Sequence, residues 1–304
     1  MAIHTGRASD SGQVIIDRDS CTLCGECAEV CASETLSVGD HQIVIDTEAI
    51  FGCIACGQCM TVCPEECIEV TGRDLSPADL VPLPSASQRS DYDRLHALLL
   101  SRRSVRRFTG QAIDHDTIEK IVASVATAPM GIPPSDVELM ILDSPQKVRA
   151  FGDDLIEGMR KSLPVLKLFA SPLARPFLGR QTYLSMKTFI LPLTRFLVGT
   201  RKRGKDFLFY DAPLAIHFHS SSFSDPADAI IAATYATIAA ESLGLGSCMI
   251  GTVAPFLSRA KATTKKWDIP SKNRQGILVI FGYPDTTYRR ALKRRLARVH
   301  YPEI

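Results

Sequence analysis

After residue 90 the chain alternates between segments with helical spacing of apolar residues and short, nearly continuous apolar runs. Helical spacing predicts amphipathic helices, and short apolar runs bounded by turn residues predict buried strands. The pattern predicts four helices, within YDRLHALLLSRRSVRRF, DHDTIEKIVASVATA, SPQKVRAFGDDLIEGM and DPADAIIAATYATIAAESLG, and three strands, VELMILD, LAIHFHS and QGILVIFGYP. Helices interleaved with a few strands predict an α+β domain with a central sheet flanked by helices.

Capping and helix-breaking residues mark the ends of these helices. Asp114 is in position to cap the second helix, and Pro129 follows its end. Pro145 lies in the first turn of the third helix, where a missing N–H costs nothing. Gly244 follows the long alanine-rich fourth helix.

The first 72 residues carry a different pattern, in which cysteines recur at short fixed steps. Two runs, CTLCGECAEVC and CIACGQCMTVC, repeat after 32 residues with the spacing C-x2-C-x2-C-x3-C. A short apolar strand follows each run. Such steps, in a chain that starts with the polar stretch MAIHTGRASDSG, are typical of metal ligation and not of disulfides.

The spacing, with Pro64 after the second run, is that of the bacterial [4Fe–4S] ligand sequence. Small residues in the tight loops, Gly25 and Gly57, let three neighbouring thiolates converge on one cluster. Zinc is the alternative, but zinc sites usually have two C-x2-C pairs set farther apart. Cys67 aligns with Thr35 in the repeat, so it is expected to be a half-buried non-ligand.

Residues 12–72 resemble a bacterial two-cluster ferredoxin. In that family the fourth cysteine of each run serves the other cluster. Ala32 stands where the second copy has Pro64, which changes only the local backbone. The resemblance implies two [4Fe–4S] clusters, one held by Cys21, Cys24, Cys27 and Cys63, and the other by Cys53, Cys56, Cys59 and Cys31.

Charge divides the chain in the same way as the patterns do. Residues 1–72 contain twelve acidic and two basic side chains, a net charge of −10, so the rest of the chain carries +12. Three prolines and four serines mark a linker. We therefore predict a domain over residues 1–75, a linker over 76–90 and a second domain over 91–304, with the oppositely charged domains docked together.

The composition also narrows the location of the protein and its partners. No apolar run is long enough to span a membrane, and the N-terminus lacks a signal-peptide core, so a cytoplasmic location is expected. Nucleic acid is not an expected partner, because the first domain is strongly acidic and no recognised nucleic-acid module is present.

Two basic clusters, SRRSVRRF (Ser101–Phe108) and RRALKRRLAR (Arg289–Arg298), frame the second domain. Arginine binds phosphate through paired, charge-assisted hydrogen bonds, so these clusters suit an anionic cofactor. Together with APMG, GLGSCMIG and GYP, in this order, they make residues 92–304 resemble the FMN-dependent nitroreductase family. A fused two-cluster ferredoxin is a known arrangement in that family.

The resemblance implies a homodimer with one FMN at each of two sites between subunits. Pro129, Met130 and Gly131 would approach the flavin from the partner subunit. One departure is IPPSDV (Ile132–Val137), where many relatives carry an asparagine followed by Gln-Pro-Trp. The other residues implied are Arg102, Arg103, Ser104 and Arg106 for the phosphate, ribityl chain and pyrimidine edge, Met249, Ile250, Gly251 and Thr252 along the ring, and Arg290, Lys293 and Arg294 closing on the phosphate.

Residues 158–205 contain eleven lysines or arginines and no acidic residue, interleaved with apolar runs. The segment 158–210 is either a helical insert packed on the core with solvated bases, or a lid over the flavin or a surface for peripheral contact with anionic lipid. His217 and His219 share one face of a strand, and a role as core or edge residues is favoured over metal binding.

The leading hypothesis is an enzyme in which reduced ferredoxin, or a similar one-electron donor, feeds the clusters and FMN reduces a flat acceptor. A nitroaromatic, a quinone or an activated double bond fits this description. Two alternatives stay open: an electron-transfer module that serves a protein or membrane partner, and a flavoenzyme similar to a reductive dehalogenase. No sequence feature indicates a nicotinamide site.

Overall fold

The computed structural model describes residues 2–303 and shows two regions with separate apolar cores. The N-terminal region (residues 2–75) contains two antiparallel strand pairs and two short helices. β1 pairs with β4, and β2 pairs with β3. Its elements are β1 (Gln13–Ile16), α1 (Glu26–Glu29), β2 (Leu36–Val38), β3 (Ile43–Ile45), α2 (Gln58–Val62) and β4 (Ile68–Thr71).

The two glycines of the cysteine loops turn the chain into the short helices. Gly25 precedes α1 with φ 83°, and Gly57 precedes α2 with φ 75°. Side chains rarely adopt this left-handed conformation, so glycine is the residue that fits there. The core below them is small, with Ile43 and Val70 almost inaccessible, and the buried thiols of Cys27 and Cys59 belong to it.

The C-terminal region (residues 91–303) contains a four-stranded antiparallel sheet in the order β5-β6-β8-β7. The predicted α+β fold is therefore present. Helices cover both faces of the sheet. The strands are β5 (Val137–Leu142), β6 (Leu214–Ser220), β7 (Gly246–Ile250) and β8 (Arg274–Gly282), and the helices are α3 (Tyr92–Ser101), α4 (His115–Ala126), α5 (Pro145–Phe169), α6 (Arg175–Ser185), α7 (Leu191–Lys202), α8 (Asp228–Ser242), α9 (Val253–Leu257) and α10 (Lys261–Lys266).

Alternate residues of the central strand β6 pack against different helices. Ile216 and Phe218 lie in the core formed with α4 and α8, whereas Ala215 lies in the core formed with α5, α7 and α9. Close packing of α8 on the sheet depends on Gly276, where an added Cβ would lie 2.5 Å from the Cβ of Ala229. The sheet therefore separates two apolar layers.

The predicted helices and strands of this region are present. Asp114 accepts a hydrogen bond from the Thr117 N–H at 2.8 Å and caps α4 as predicted. The sequence pattern missed β7, α9 and α10, and α5 continues for ten residues beyond Met159, where the predicted helix ended, with Pro164 inside it.

The basic segment 158–205 is helical throughout most of its length. This segment is a helical insert between β5 and β6. It consists of the end of α5, α6, a π-helical turn (Met186–Ile190) and α7. Arg201 anchors its end, because it donates to Asp153 at 2.7 Å and pairs with the buried Asp206 at 3.4 Å. Apolar side chains such as Leu173 and Phe177 remain 80% and 88% exposed.

The linker and the C-terminal tail have little regular structure. The linker contains a 3₁₀ turn (Pro77–Asp79) capped by Ser76, and residues 79–90 are exposed. Residues 285–303 are exposed and belong to no helix or strand. Within residues 2–303, no helix combines the length and apolar character needed to cross a membrane.

Candidate functional site

The eight predicted ligand cysteines surround two cavities, four at each. Each cavity takes three thiols from one run and the fourth from the other run, which is the exchange that the ferredoxin resemblance implies. Cavity 1 is lined by Cys21, Cys24, Cys27 and Cys63, and cavity 2 by Cys31, Cys53, Cys56 and Cys59.

The lining of each cavity suits a cluster of several irons, because four predicted ligand thiols surround each space. In the part of the chain that the structure describes, no three His, Cys, Asp or Glu side chains lie close enough to bind a single metal ion. The thiols surround a cavity and do not converge on the position of a single ion. This geometry suits a cubane cluster better than one zinc ion.

The surroundings of the thiols differ within one cavity. Burial, with the nearby thiols of Cys53 and Cys56, raises the pKa of Cys59 to about 12. Burial also acts on Cys31, but the N–H groups of Leu36, Thr35 and Ser33 and the Ser33 hydroxyl outweigh it and lower the pKa of that thiol. Hydrogen-bond donors around an anionic sulfur are what a bound cluster requires. Cluster loading must displace protons from the buried thiols, so it is pH-dependent.

Cys67 is a fifth thiol at cavity 1. Its Sγ lies 3.5 Å from the Sγ of Cys63, and it lines the cavity with the four predicted ligands. Its side chain is buried, not half-buried as expected, and burial together with Cys63 raises its pKa to about 12. Thr35, its counterpart in the repeat, lines cavity 2. Because Cys67 and Thr35 occupy equivalent positions of the internal repeat, the repeat could have indicated that both line a cluster cavity.

The first basic cluster lies beside the edge strand β7. The Val105 N–H donates to the Ser247 carbonyl at 2.9 Å, and Ser104 forms a parallel bridge with Ser247. Gly246 makes this approach feasible, because a Cβ there would lie 2.6 Å from Val105. Arg102, Arg103, Ser104 and Arg106 are thus brought to the same edge as Met249, Ile250, Gly251 and Thr252, which form the end of β7 and the turn after it.

The two basic clusters meet at this edge. Arg103 donates to the Arg290 carbonyl at 2.8 Å, and its guanidinium lies over the Tyr288 ring. In residues 2–303, the other predicted phosphate ligands form no ion pair with an acidic side chain; they are Arg102, Arg106, Lys293 and Arg294. Unpaired guanidinium and ammonium groups of this kind fit a phosphate. Arg290 takes part here through its backbone.

The predicted flavin segment Pro129–Gly131 does not lie at the edge of the sheet where the basic clusters meet. It precedes β5, at the opposite edge of the sheet from β7, with β6 and β8 in between. The Gly131 N–H donates to both carboxylate oxygens of Asp228 at 3.3 Å. A single chain therefore does not bring this segment to the basic clusters.

The segment after Gly131 contacts the N-terminal region. Arg73, at the end of β4, donates through Nε and Nη2 to the Pro133 carbonyl at 3.3 and 2.8 Å. Its Nη1 donates to the carbonyls of Ile3 and Asp10, each at 2.7 Å. Although burial is the largest influence and raises the pKa of the Cys53 thiol, the positive charge of Arg73 acts in the opposite direction.

A second set of bonds extends this contact. The Gly6 N–H donates to the Asp136 carboxylate at 2.7 Å, which also accepts from the Ser221 hydroxyl. Arg7 donates to the Ser135 carbonyl at 3.1 Å and pairs with Asp74. The joining cations therefore belong to the acidic region, and the simple expectation of docking by opposite net charges does not describe these contacts. No sequence pattern indicated Arg73 or Asp136.

His217 and His219 lie on one face of β6 with their rings 5.4 Å apart, as the alternation predicted. Burial lowers the pKa of His217 to about 4, and its Nε2 bonds to the Gln275 side chain at 2.8 Å. Burial also lowers the pKa of His219. Both rings are therefore neutral at pH 7, and they belong to the core beneath the sheet.

The fold and the cavities define an iron–sulfur protein in which a dicluster region is joined to an α+β region. Comparison with protein families agrees: a 4Fe-4S dicluster domain matches residues 13–64, and the nitroreductase family matches residues 99–283, more than half of the chain. The chain belongs to the nitroreductase family, and its two cysteine sets belong to a domain that holds two [4Fe–4S] clusters.

Similarity to a solved nitroreductase structure supports the fold. A nitroreductase with bound FMN from Bacteroides fragilis is similar over 69% of this chain and 98% of its own, with 17% identity and a TM-score of 0.50. A nitroreductase with bound FMN from Desulfitobacterium hafniense covers 68% and 98%, with 18% identity and a TM-score of 0.46. No curated protein sequence matches this chain.

Proposed function

We propose that this chain is a ferredoxin-linked, FMN-dependent reductase that passes electrons from a one-electron donor to a flat organic acceptor. The donor is reduced ferredoxin or a similar carrier, and the acceptor is a nitroaromatic, a quinone or an activated double bond. When bound, the clusters supply one-electron transfer and FMN supplies the conversion between one-electron and two-electron steps.

The contact between the two regions is the observation that supports this proposal most directly. Gly6, Arg7 and Arg73 bind the loop after Gly131, so the cysteine cavities are attached to the nitroreductase domain by hydrogen bonds as well as by the linker. Electron transfer requires a fixed position of the clusters relative to their acceptor. A tether alone would not provide it.

Different residues of the chain hold the clusters and the flavin. The eight cysteines hold the clusters. The two basic clusters hold the FMN phosphate, ribityl chain and pyrimidine edge, and the contact between Arg103 and the Arg290 carbonyl supports this role. The residues are Arg102, Arg103, Ser104 and Arg106 of the first cluster, with Arg290, Lys293 and Arg294 of the second closing on the phosphate. Met249–Thr252 line the ring, and cationic side chains near its pyrimidine edge stabilise negative charge there. We retain the domain limits 1–75, 76–90 and 91–304.

A homodimer completes the proposed flavin site. Pro129–Gly131 lie at the wrong edge of the sheet to reach the basic clusters of their own chain, so the partner subunit would supply them. Helix α3 and the tail leave apolar side chains exposed for such a partner; they include Leu95, Leu99, Leu292, Leu296 and Val299. The cysteine pattern places the dimer in a reducing compartment, for which we propose the cytoplasm.

A truncated chain tests the route of the electrons. Residues 90–304 should retain FMN and accept electrons from dithionite, but lose turnover with reduced ferredoxin as the donor. The full chain, assayed anaerobically against a panel of acceptors, gives the reference. Full ferredoxin-driven turnover by the truncated chain would show that the cysteine cavities lie off the route.

The same panel separates the alternatives. Reduction of a protein partner, with no small acceptor turned over, would identify an electron-transfer module. Halide release from halogenated acceptors would identify a dehalogenase-like reaction.

The flavin ligands are tested by retention of the cofactor. Arg102→Ala and Arg294→Ala should each weaken FMN binding by several-fold or more, since one charge-assisted bond contributes about 1.5–3 kcal/mol. Arg180→Ala, an exposed arginine of the insert, is the matched control. Unchanged FMN content in both test variants would move the phosphate site elsewhere.

We also propose that the insert contacts an anionic membrane surface. Its eleven basic residues, without an acidic one, and its exposed Leu173 and Phe177 have the composition of an interfacial surface. The protein should sediment with vesicles that contain anionic lipid and not with neutral ones. Leu173→Ser with Phe177→Ser should abolish this, and no sedimentation by the wild type would assign the surface to a lid or to the dimer.

A further inference from the structure

Arg73 is a buried cation that binds carbonyl groups of both regions. Its side chain is 4% exposed. It donates to the Ile3 and Asp10 carbonyls of the N-terminal arm and twice to the Pro133 carbonyl before β5. One guanidinium therefore holds three separate stretches of chain in place.

The backbone at Arg73 adopts a conformation that ordinary side chains rarely adopt. Gly72, Arg73 and Asp74 follow one another with φ values of 91°, 53° and 61°. Glycine tolerates this, but an arginine and an aspartate are disfavoured there. A turn of this kind persists because its surroundings hold it, and at Arg73 the surroundings are the carbonyl contacts.

The charge of Arg73 lacks an acidic partner within residues 2–303, since the neighbouring Asp74 pairs with Arg7. A buried, unpaired charge is unfavourable unless a negative group lies nearby. Cavity 2 is adjacent: two residues after Asp10, the Gly12 N–H donates to the Cys53 carbonyl at 2.7 Å. A Cβ on Gly12 would lie 3.0 Å from the Cys53 Sγ.

A cluster held by four thiolates is anionic, and reduction adds one further negative charge. We propose that Arg73 is a positioning residue that clamps the N-terminal region onto the nitroreductase domain and whose charge stabilises the reduced state of the cluster in cavity 2. Reduction of that cluster adds one electron and breaks no bond.

Cavity 2 is then the cysteine cavity that lies beside the contact with the nitroreductase domain. The inference requires the clusters and the contact between regions, but neither FMN nor an acceptor. Its failure and the failure of the proposed reaction are therefore separate results.

Redox titration of the anaerobically purified protein, followed by electron paramagnetic resonance, tests the charge. Arg73→Met should lower the equilibrium constant for reduction of one cluster about tenfold, which is a shift of 59 mV to more negative potential. The potential of the other cluster should be unchanged. The shifted signal should be the one that Cys56→Ser removes. Arg73→Lys, which keeps the charge, should restore the potential, and Arg7→Gln, an exposed arginine of the same contact, should change neither cluster.

Hydrogen exchange tests the clamp. Residues 2–10 and 128–136 should exchange faster in Arg73→Met and Arg73→Lys, because the fork of hydrogen bonds is lost, and less so in Arg7→Gln. Unchanged exchange in both Arg73 variants would refute the clamp. Unchanged potentials, or a shift confined to the cavity 1 cluster, would refute the role of the charge. Arg73→Gln supplies the neutral comparison if the methionine variant does not fold.

Discussion

At the scale of single residues, position and not residue type separates the cysteines that should hold clusters from the one that should not. Cys56 and Cys67 both line a cysteine cavity, but Cys67 shares cavity 1 with four other thiols, while cavity 2 has four thiols in all. Loss of Cys56 therefore leaves three ligands, and loss of Cys67 leaves four.

Iron content measures this difference. The wild type should contain about eight irons per chain, Cys56→Ser should lose up to about four of them, and Cys67→Ser should keep all. Full iron content in Cys56→Ser would exclude it as a ligand. Loss of iron in Cys67→Ser would show that Cys67, and not one of the four predicted thiols, completes cavity 1.

His217 should give the protein a measurable sensitivity to acid. Its pKa is lowered by burial to about 4, against about 6.5 in an unfolded chain. As the pH falls below 6.5 the unfolded state binds the proton first, so the folded state loses stability until about pH 4. His217→Gln removes this contribution, on the order of 3 kcal/mol across the window.

Urea unfolding at several pH values between 7 and 4 measures the effect. The free energy of unfolding should fall more steeply for the wild type than for His217→Gln. His115→Gln, at an exposed position of α4, should keep the wild-type slope. Equal slopes for the wild type and His217→Gln would show that the buried ring is already charged in the folded protein or that the site relaxes around it.

At the scale of helices and strands, two glycines should respond in opposite ways to the same change. In Gly276→Ala the new Cβ would lie 2.5 Å from the Ala229 Cβ and 2.7 Å from the Phe218 carbonyl, so α8 must move away from the sheet. Overpacking of this kind costs about 1–3 kcal/mol. In Gly199→Ala the nearest atom, on the Arg203 side chain, is 3.6 Å away, and alanine favours the helix by about 0.5–1 kcal/mol.

Thermal unfolding of the two variants checks this expectation. Gly276→Ala should lower the melting temperature, and Gly199→Ala should keep or raise it. A stable Gly276→Ala protein would mean that α8 does not rest on the sheet as closely as the structure has it.

The sequence predicted those elements whose signals are local. Asp114 marked the start of α4, and apolar runs marked β5, β6 and β8. The strand β7 was not predicted, because its sequence, GSCMI, begins with small residues and lacks a run of apolar residues. Its apolar neighbours come from other strands. The predicted helix ended at Met159, where the basic, apolar insert begins, whereas α5 continues to Phe169 because it packs against the other helices of the insert.

At the scale of the whole molecule, the hydrogen bonds between the regions predict that salt has little effect on electron transfer from the clusters to FMN. Buried bonds to carbonyls are screened far less than exposed charges, whereas the Debye length falls from about 10 Å at 0.1 M salt to about 3 Å at 1 M. In rapid mixing, reduction of FMN by the clusters of the same dimer should keep its rate over this range. Delivery by a separate ferredoxin, which charge steers, should slow; a parallel slowing of both steps would indicate loose docking.

The candidate site shows the same limit of sequence reasoning at larger scale. Fixed cysteine spacing predicted both thiol sets, because three of the four ligands of each cluster are close neighbours in the sequence. The contact through Arg73 and Asp136 joins residues 60 or more positions apart by backbone carbonyls and amides, which any sequence offers. The position of Pro129–Gly131 depends on strand order, which the apolar pattern does not specify.

The exposed linker has a consequence for how this protein was assembled and how it can be taken apart. The peptide bonds that connect the regions run through residues 76–90, whereas the hydrogen bonds that hold the regions together are made by Gly6, Arg7 and Arg73. A protease nick in the linker would therefore leave a complex of two fragments. By the same reasoning, a genome could carry the two parts as separate genes whose products find each other through the same arginine.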